Sequence, residues 1–158
     1  MDDLQALYQE LILDHNARPR NFGELPAPTH WANGHNPMCG DHMTLHLQVD
    51  EGGVIRAARF AGQGCAISRA SASLMTAAVA GLPRPEVEAL FASFHGLIAG
   101  DGDTGADSVD EAAAGRLGKL QALAGVRSFP MRVKCATLAW HTLMAALAGD
   151  GQAASTEG

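Results

Sequence analysis

The stretch His42-Met-Thr-Leu-His-Leu-Gln-Val-Asp-Glu-Gly-Gly-Val-Ile-Arg-Ala-Ala-Arg-Phe-Ala61 decides the architecture. Met43, Leu45, Leu47 and Val49 alternate with Thr44, His46 and Gln48, the period of two that makes a strand apolar on one face and polar on the other. Asp50-Glu51-Gly52-Gly53 has turn chemistry, and Val54 to Ala61 returns as a second strand. A β-hairpin with a four-residue connection is therefore expected. Residues 29–35 fit a shorter third strand, with a weaker pattern.

Downstream, Gly62-Gln63-Gly64 breaks the strand and sets Cys65 at the start of the next element. Residues 66–80 are rich in Ala, Ser, Leu and Met and read as a helix stopped by Gly81 and Pro83. A further helix is expected over 84–98, with Val87, Leu90, Phe91 and Phe94 on one face. Residues 100–110 read as an acidic, glycine-rich loop, and 111–124 as an alanine-rich helix ended by Gly125. Pro130 suits the first turn of a last helix reaching about Leu147. Upstream, Leu4, Leu7, Tyr8, Leu11 and Ile12 recur at helical spacing over residues 2–15, and Pro19, Pro26, Pro28 and Pro37 exclude regular helix after it. The expected fold is α+β, a small antiparallel sheet of about three strands packed with helices. It should form one domain over residues 1–148, with a frayed, disordered tail over 149–158.

Composition agrees and narrows the function. Of the 158 residues 47% are apolar and 18% charged, enough for one core and too few charges for a disordered tail. Eleven basic against 17 acidic residues give a net charge of −6, which argues against non-specific binding to nucleic acid or a membrane surface. No apolar run approaches the length of about 20 residues that a spanning helix needs. The N-terminus is acidic where a secretory signal would be basic, so the expected compartment is the cytoplasm.

The three cysteines carry the chemistry. An odd number cannot close a disulfide framework, and none of them forms a Cys-x-x-Cys pair. Cys39 lies in a Cys-Gly-Asp turn beside Asp41, Cys65 opens a helix whose positive end favours an anionic sulfur, and Cys135 lies near a helix start beside Arg132 and Lys134. Three thiolates and one carboxylate would close a tetrahedral Zn²⁺ shell, or serve iron and sulfide. Three buried, inert cysteines would give the same spacing. Among seven histidines, His35 and His42 flank the Cys39 turn and are the near candidates for a further ligand. His15, His30 and His95 read as surface or partly buried residues, and His141, six residues after Cys135, faces away from it. The acidic run from Asp101 to Asp107 lacks the glycine and glutamate of a calcium loop, and neither Gly-x-Ser-x-Gly nor His-Glu-x-x-His occurs.

Four segments together are telling. They are Leu7-Tyr-Gln-Glu-Leu-Ile-Leu-Asp-His15 with Pro19-Arg-Asn21, Asn36-Pro-Met-Cys-Gly-Asp41, Gly62-Gln-Gly-Cys-Ala-Ile-Ser-Arg-Ala-Ser-Ala-Ser73, and Lys134-Cys-Ala-Thr-Leu-Ala-Trp140. In this order they resemble the IscU/NifU N-terminal superfamily of iron–sulfur cluster assembly proteins, over roughly residues 4–147. Within it the chain looks most like the SufU branch. Lys134 stands where the IscU branch has a histidine, and Ser128-Phe-Pro-Met-Arg-Val-Lys134 does not match that branch's Leu-Pro-Pro-Val-Lys motif. The stretch from about Gly100 to Leu117 resembles the extra segment of SufU proteins.

The resemblance implies a zinc site of Cys39, Asp41, Cys65 and Cys135. It also implies that Cys39 accepts persulfide sulfur from a SufS-type, PLP-dependent cysteine desulfurase and passes it to downstream assembly proteins or apoproteins. The alternative is a scaffold on which a [2Fe–2S] cluster, or iron, occupies the same four ligands. Arg132 and Lys134 would stabilise thiolate or persulfide charge, or simply be surface charges at a helix start.

Overall fold

The structure, a computed structural model, describes residues 2–36, 40–99, 117–148 and 153–155. Helix α1 (Asp2–Ala17) precedes strands β1 (His30–Asn36), β2 (Asp41–Val49) and β3 (Ile55–Gln63). Helices α2 (Ala66–Val79) and α3 (Arg84–Ala99), a 3-10 helix (Gly118–Ser128), helix α4 (Pro130–Leu147) and a short strand β4 (Ala153–Ser155) follow. The sheet order is β3-β2-β1-β4. The α+β reading holds, with three antiparallel strands backed by helices.

The period-two pattern produces the hairpin as expected. Met43, Leu45 and Leu47 are buried, facing Gly62, Phe60 and Ala58 of β3 across the ladder. Asp50 builds the turn: its Oδ1 accepts from the N–H groups of Gly52 (2.9 Å) and Val54 (3.0 Å), an arrangement that mimics a backbone turn. These two bonds and the Arg56 guanidinium hold its carboxyl below the usual range. The weak third strand is present as β1, antiparallel to β2.

Helix α4 lies across β1 and β2, while α2 packs on α4, on β3 and on α1. Gly34 lets α4 approach. A Cβ there would sit 1.9 Å from Thr142 Oγ1, closer than any real contact, and 3.2 Å from a Leu138 methyl, a tight one. Behind this layer Trp140 is fully buried, with ring centroids 4.8 Å from Phe94 and 5.8 Å from Phe91 of α3.

Two expectations change. Gly125 does not end a helix: the described part of that region is a 3-10 helix running on to Ser128, and residues 111–116, like the 100–110 loop, lie outside the described residues. The reason is periodicity. Leu117, Leu120, Leu123 and Val126 recur every third residue and all are buried, which suits a helix of three residues per turn. The tail is not wholly frayed, because Ala153–Ser155 pair in parallel with Asn33–His35. Strand β1 otherwise has a free edge, whose unpaired N–H and C=O groups accept the added strand.

Candidate metal centre

Three elements converge on one point. Asp41 begins β2, Cys65 caps α2, and Cys135 lies in the second turn of α4. Their ligating atoms all lie within 4.8 Å of one another. Asp41 and Cys135 are buried at 3% exposure each, whereas Cys65 is exposed, so the group opens to solvent on one side. Cys39 lies outside the described residues, between Asn36 and Gly40 in the sequence.

The local bonds follow from the backbone. Gly62 has φ +138°, and a Cβ there would lie 2.3 Å from the His42 carbonyl oxygen, so only glycine lets β3 press on β2 before the chain turns to Cys65. Cys65 N–H then donates to Asp41 Oδ1 at 3.0 Å, while Cys65 Sγ accepts from Ser68 N–H at 3.4 Å as the N-cap of α2. The Asn36 amide donates to Cys135 Sγ at 3.8 Å. Asn36 is fully buried opposite Asp41 in the β1–β2 ladder.

The second Asp41 oxygen decides whether this group fits a metal. Among the described residues Oδ2 is buried and has no hydrogen-bond partner. A buried carboxylate oxygen is costly unless paired or coordinating a cation. Two sulfur donors and one oxygen donor, gathered at this spacing, suit a tetrahedral borderline-soft ion.

Sequence reasoning placed Asp41, Cys65 and Cys135 together, and the structure brings them together. It separates His35 and His42 from them: both are exposed on the other face of the sheet, because the neighbouring residues Asn36 and Asp41 point inward. Sequence reasoning missed Asn36 and Ser68. Parity along β1 and β2 would have put Asn36 on the same face as Asp41. His15 is also corrected, since it is buried, with Nδ1 2.6 Å from Ser73 Oγ.

Comparison with known proteins agrees with the geometry. Residues 7–136 match the NifU-like N-terminal domain model. The chain belongs to the NifU-like N-terminal domain family. It is 39% identical over 141 residues to the zinc-dependent sulfurtransferase SufU of Bacillus subtilis (strain 168), covering 89% of each chain. It is 38% identical over 147 residues to the iron–sulfur cluster assembly scaffold protein IscU of Streptococcus pyogenes serotype M1, covering 93% of this chain and 86% of that one. The crystal structure of a scaffold protein ascribed to iron–sulfur cluster assembly in the SUF system of Fervidobacterium islandicum AW-1 superposes with a TM-score of 0.75. It is 30% identical, covering 90% of this chain and 98% of that one. Membership of the NifU-like family thus includes relatives named for sulfur transfer and relatives named as scaffolds. No helix among the described residues is long and apolar enough to cross a membrane.

Proposed function

We propose that this chain is a zinc-bound sulfur acceptor of iron–sulfur cluster assembly, with Asp41, Cys65, Cys135 and Cys39 as the metal ligands and Cys39 as the acceptor. The observation that carries this reading is the convergence of Asp41, Cys65 and Cys135, with one buried Asp41 oxygen left for a cation. The B. subtilis relative named as a zinc-dependent sulfurtransferase supports the choice of zinc. Zinc supplies one thing here, holding cysteine sulfurs as thiolates near neutral pH.

The rest is done by the chain. Asp41 and Cys135 fix two donors from the buried side, and Cys65 presents its sulfur at the open side. Cys39, between Pro37 and Gly40 in the sequence, is the donor best placed by sequence to be released when a partner docks. Its thiolate attacks the outer sulfur of the desulfurase persulfide. A new sulfur–sulfur bond forms on Cys39, the old one breaks, and the desulfurase cysteine leaves as a thiolate, so the exchange needs no outside oxidant or reductant. The partner class is therefore a PLP-dependent cysteine desulfurase, and the sulfur passes on to downstream assembly proteins. A cytoplasmic setting would keep these thiols reduced.

A second reading is favoured by the relatives named as scaffolds: the same donors would hold a [2Fe–2S] cluster as cargo. Lys134 weighs against it, since it stands where the scaffold branch has a histidine, a customary metal ligand that lysine does not replace. Metal and acid-labile sulfide analysis of protein purified without oxygen separates the two. One zinc per chain with no visible colour, and sulfur acceptance abolished in Cys39→Ala, is the expected result. Iron and sulfide in equal amounts, with a coloured cluster trapped by Asp41→Ala, would establish the scaffold instead.

A further inference from the structure

The outer face of the sheet holds a second cluster of metal-ligating side chains, independent of the cysteines. In the β1–β2 ladder His35 stands directly opposite His42, and both are exposed. The next pair of the same ladder, Asn36 and Asp41, is buried on the inner face. Strand alternation therefore places the two imidazoles together on the outer face, as cross-strand neighbours whose Cβ atoms stand about 5 Å apart. Side chains along this row do meet: two residues further along, Thr44 Oγ1 donates to Asn33 Oδ1 at 2.6 Å.

The surroundings suit a cation. Gln63 of β3 is in register with His42 on its other side and is exposed, adding an amide oxygen as a third donor. The outer-face neighbours one step along the ladders are Asn33, Thr44 and Ala61, which bring no positive charge to the position. No shared ligand links this cluster to Asp41, Cys65 and Cys135, which lie across the sheet.

We propose that His35 and His42 form a second divalent-cation site, selective for the imidazole-preferring class of Ni²⁺, Cu²⁺ and Zn²⁺, with Gln63 and water completing the shell. The ladder fixes the two backbones, and with them the two Cβ positions, before the ion arrives, so only the side chains remain to be ordered on binding. The ion ties β1 to β2 one pair from the Asn36–Asp41 end of their ladder. Occupancy therefore stabilises the hairpin from the face opposite the cysteines.

Calorimetric titration of zinc-saturated protein with Ni²⁺ tests this, with zinc content measured before and after. One Ni²⁺ per chain is expected, at a Kd on the order of micromolar, with zinc retained and the melting temperature raised. His35→Gln and His42→Gln should each weaken nickel binding at least about tenfold and abolish the thermal shift, a loss of about 1.4 kcal/mol or more. His95→Gln, on exposed α3 surface, should leave the nickel equivalent in place. The proposal is overturned if no stoichiometric nickel binds or if either sheet variant binds as tightly as the parent. Nickel uptake in step with zinc loss would overturn it too, placing the ion at the cysteines.

Discussion

Asp41 uses its two carboxylate oxygens differently. Oδ1 anchors the start of α2 through the Cys65 N–H, and Oδ2 is buried without a hydrogen-bond partner among the described residues, open to the proposed ion. Asn36 adds an N–H to Cys135 Sγ from the facing strand. Such outer contacts orient a ligand and temper its charge, and losing one typically costs 10- to 100-fold in metal affinity. Asn36→Ala should therefore weaken zinc about tenfold in competition with a chromogenic chelator, and Asn36→Asp should weaken it further by setting a carboxylate beside the sulfur. An unchanged affinity in both would remove Asn36 from the site.

His15 makes a different prediction. Ser73 Oγ accepts from Arg20 N–H at 2.8 Å, which leaves its own hydrogen for His15 Nδ1. Burial lowers the His15 pKa from 6.5, Arg20 and Lys119 lower it further, and Asp14 opposes them. Burial also lowers that of His141, half-buried against Phe91. A lowered histidine means that the unfolded chain binds more protons as pH falls through 6.5. This part of the stability is complete above that value and is lost as pH falls toward the folded values. Urea midpoints should drop between about pH 8 and about pH 5.5, and His15→Gln should flatten the slope. The convergent residues Asp41, Cys65 and Cys135 were legible one by one because each stands near a turn or a helix start. Asn36 was not, because its role depends on a contact 99 residues away.

At the scale of elements, close approach is the recurring device. Gly34→Val has no room against Thr142 and should push α4 off β1, costing about 3 kcal/mol in chemical denaturation and loosening Cys135 with it. A stability within experimental error of the parent would mean that α4 does not rest on β1 as described. The hairpin was legible because one face is buried and one is wet, which writes the strand period directly into the residues. The 3-10 helix was not, because alanine content argues for an α-helix while the spacing of Leu120, Leu123 and Val126 sets a tighter turn. Strand β4 was hidden for another reason: nothing local in a small polar tail signals pairing, and the edge it meets lies far away in sequence.

For the molecule as a whole, both flanks of the sheet are covered. Residues 21–23 hydrogen-bond to Phe60 on the β3 side, through Gly23 N to Phe60 O at 2.7 Å and Phe60 N to Asn21 O at 3.0 Å, while β4 lies on β1. Covered edges discourage strand-to-strand aggregation. A metal held by Asp41, Cys65 and Cys135 would add to this framework by tying β2, α2 and α4 at one point. Chelation should lower the melting temperature by several degrees, and re-addition of zinc should restore it. A zinc-free protein melting at the parent temperature would show that the three elements need no tie.

The donors reach that point from widely separated parts of the chain, and the last comes from its final helix. During synthesis the hairpin and α2 leave the ribosome with Asp41 and Cys65 long before Cys135 emerges. A nascent chain can thus grip an ion only loosely, by an incomplete set of ligands. Full loading of such a site would wait until Cys135 has emerged, which leaves a window in which a newly made thiol can be oxidised, or the chain destroyed, when the ion is scarce.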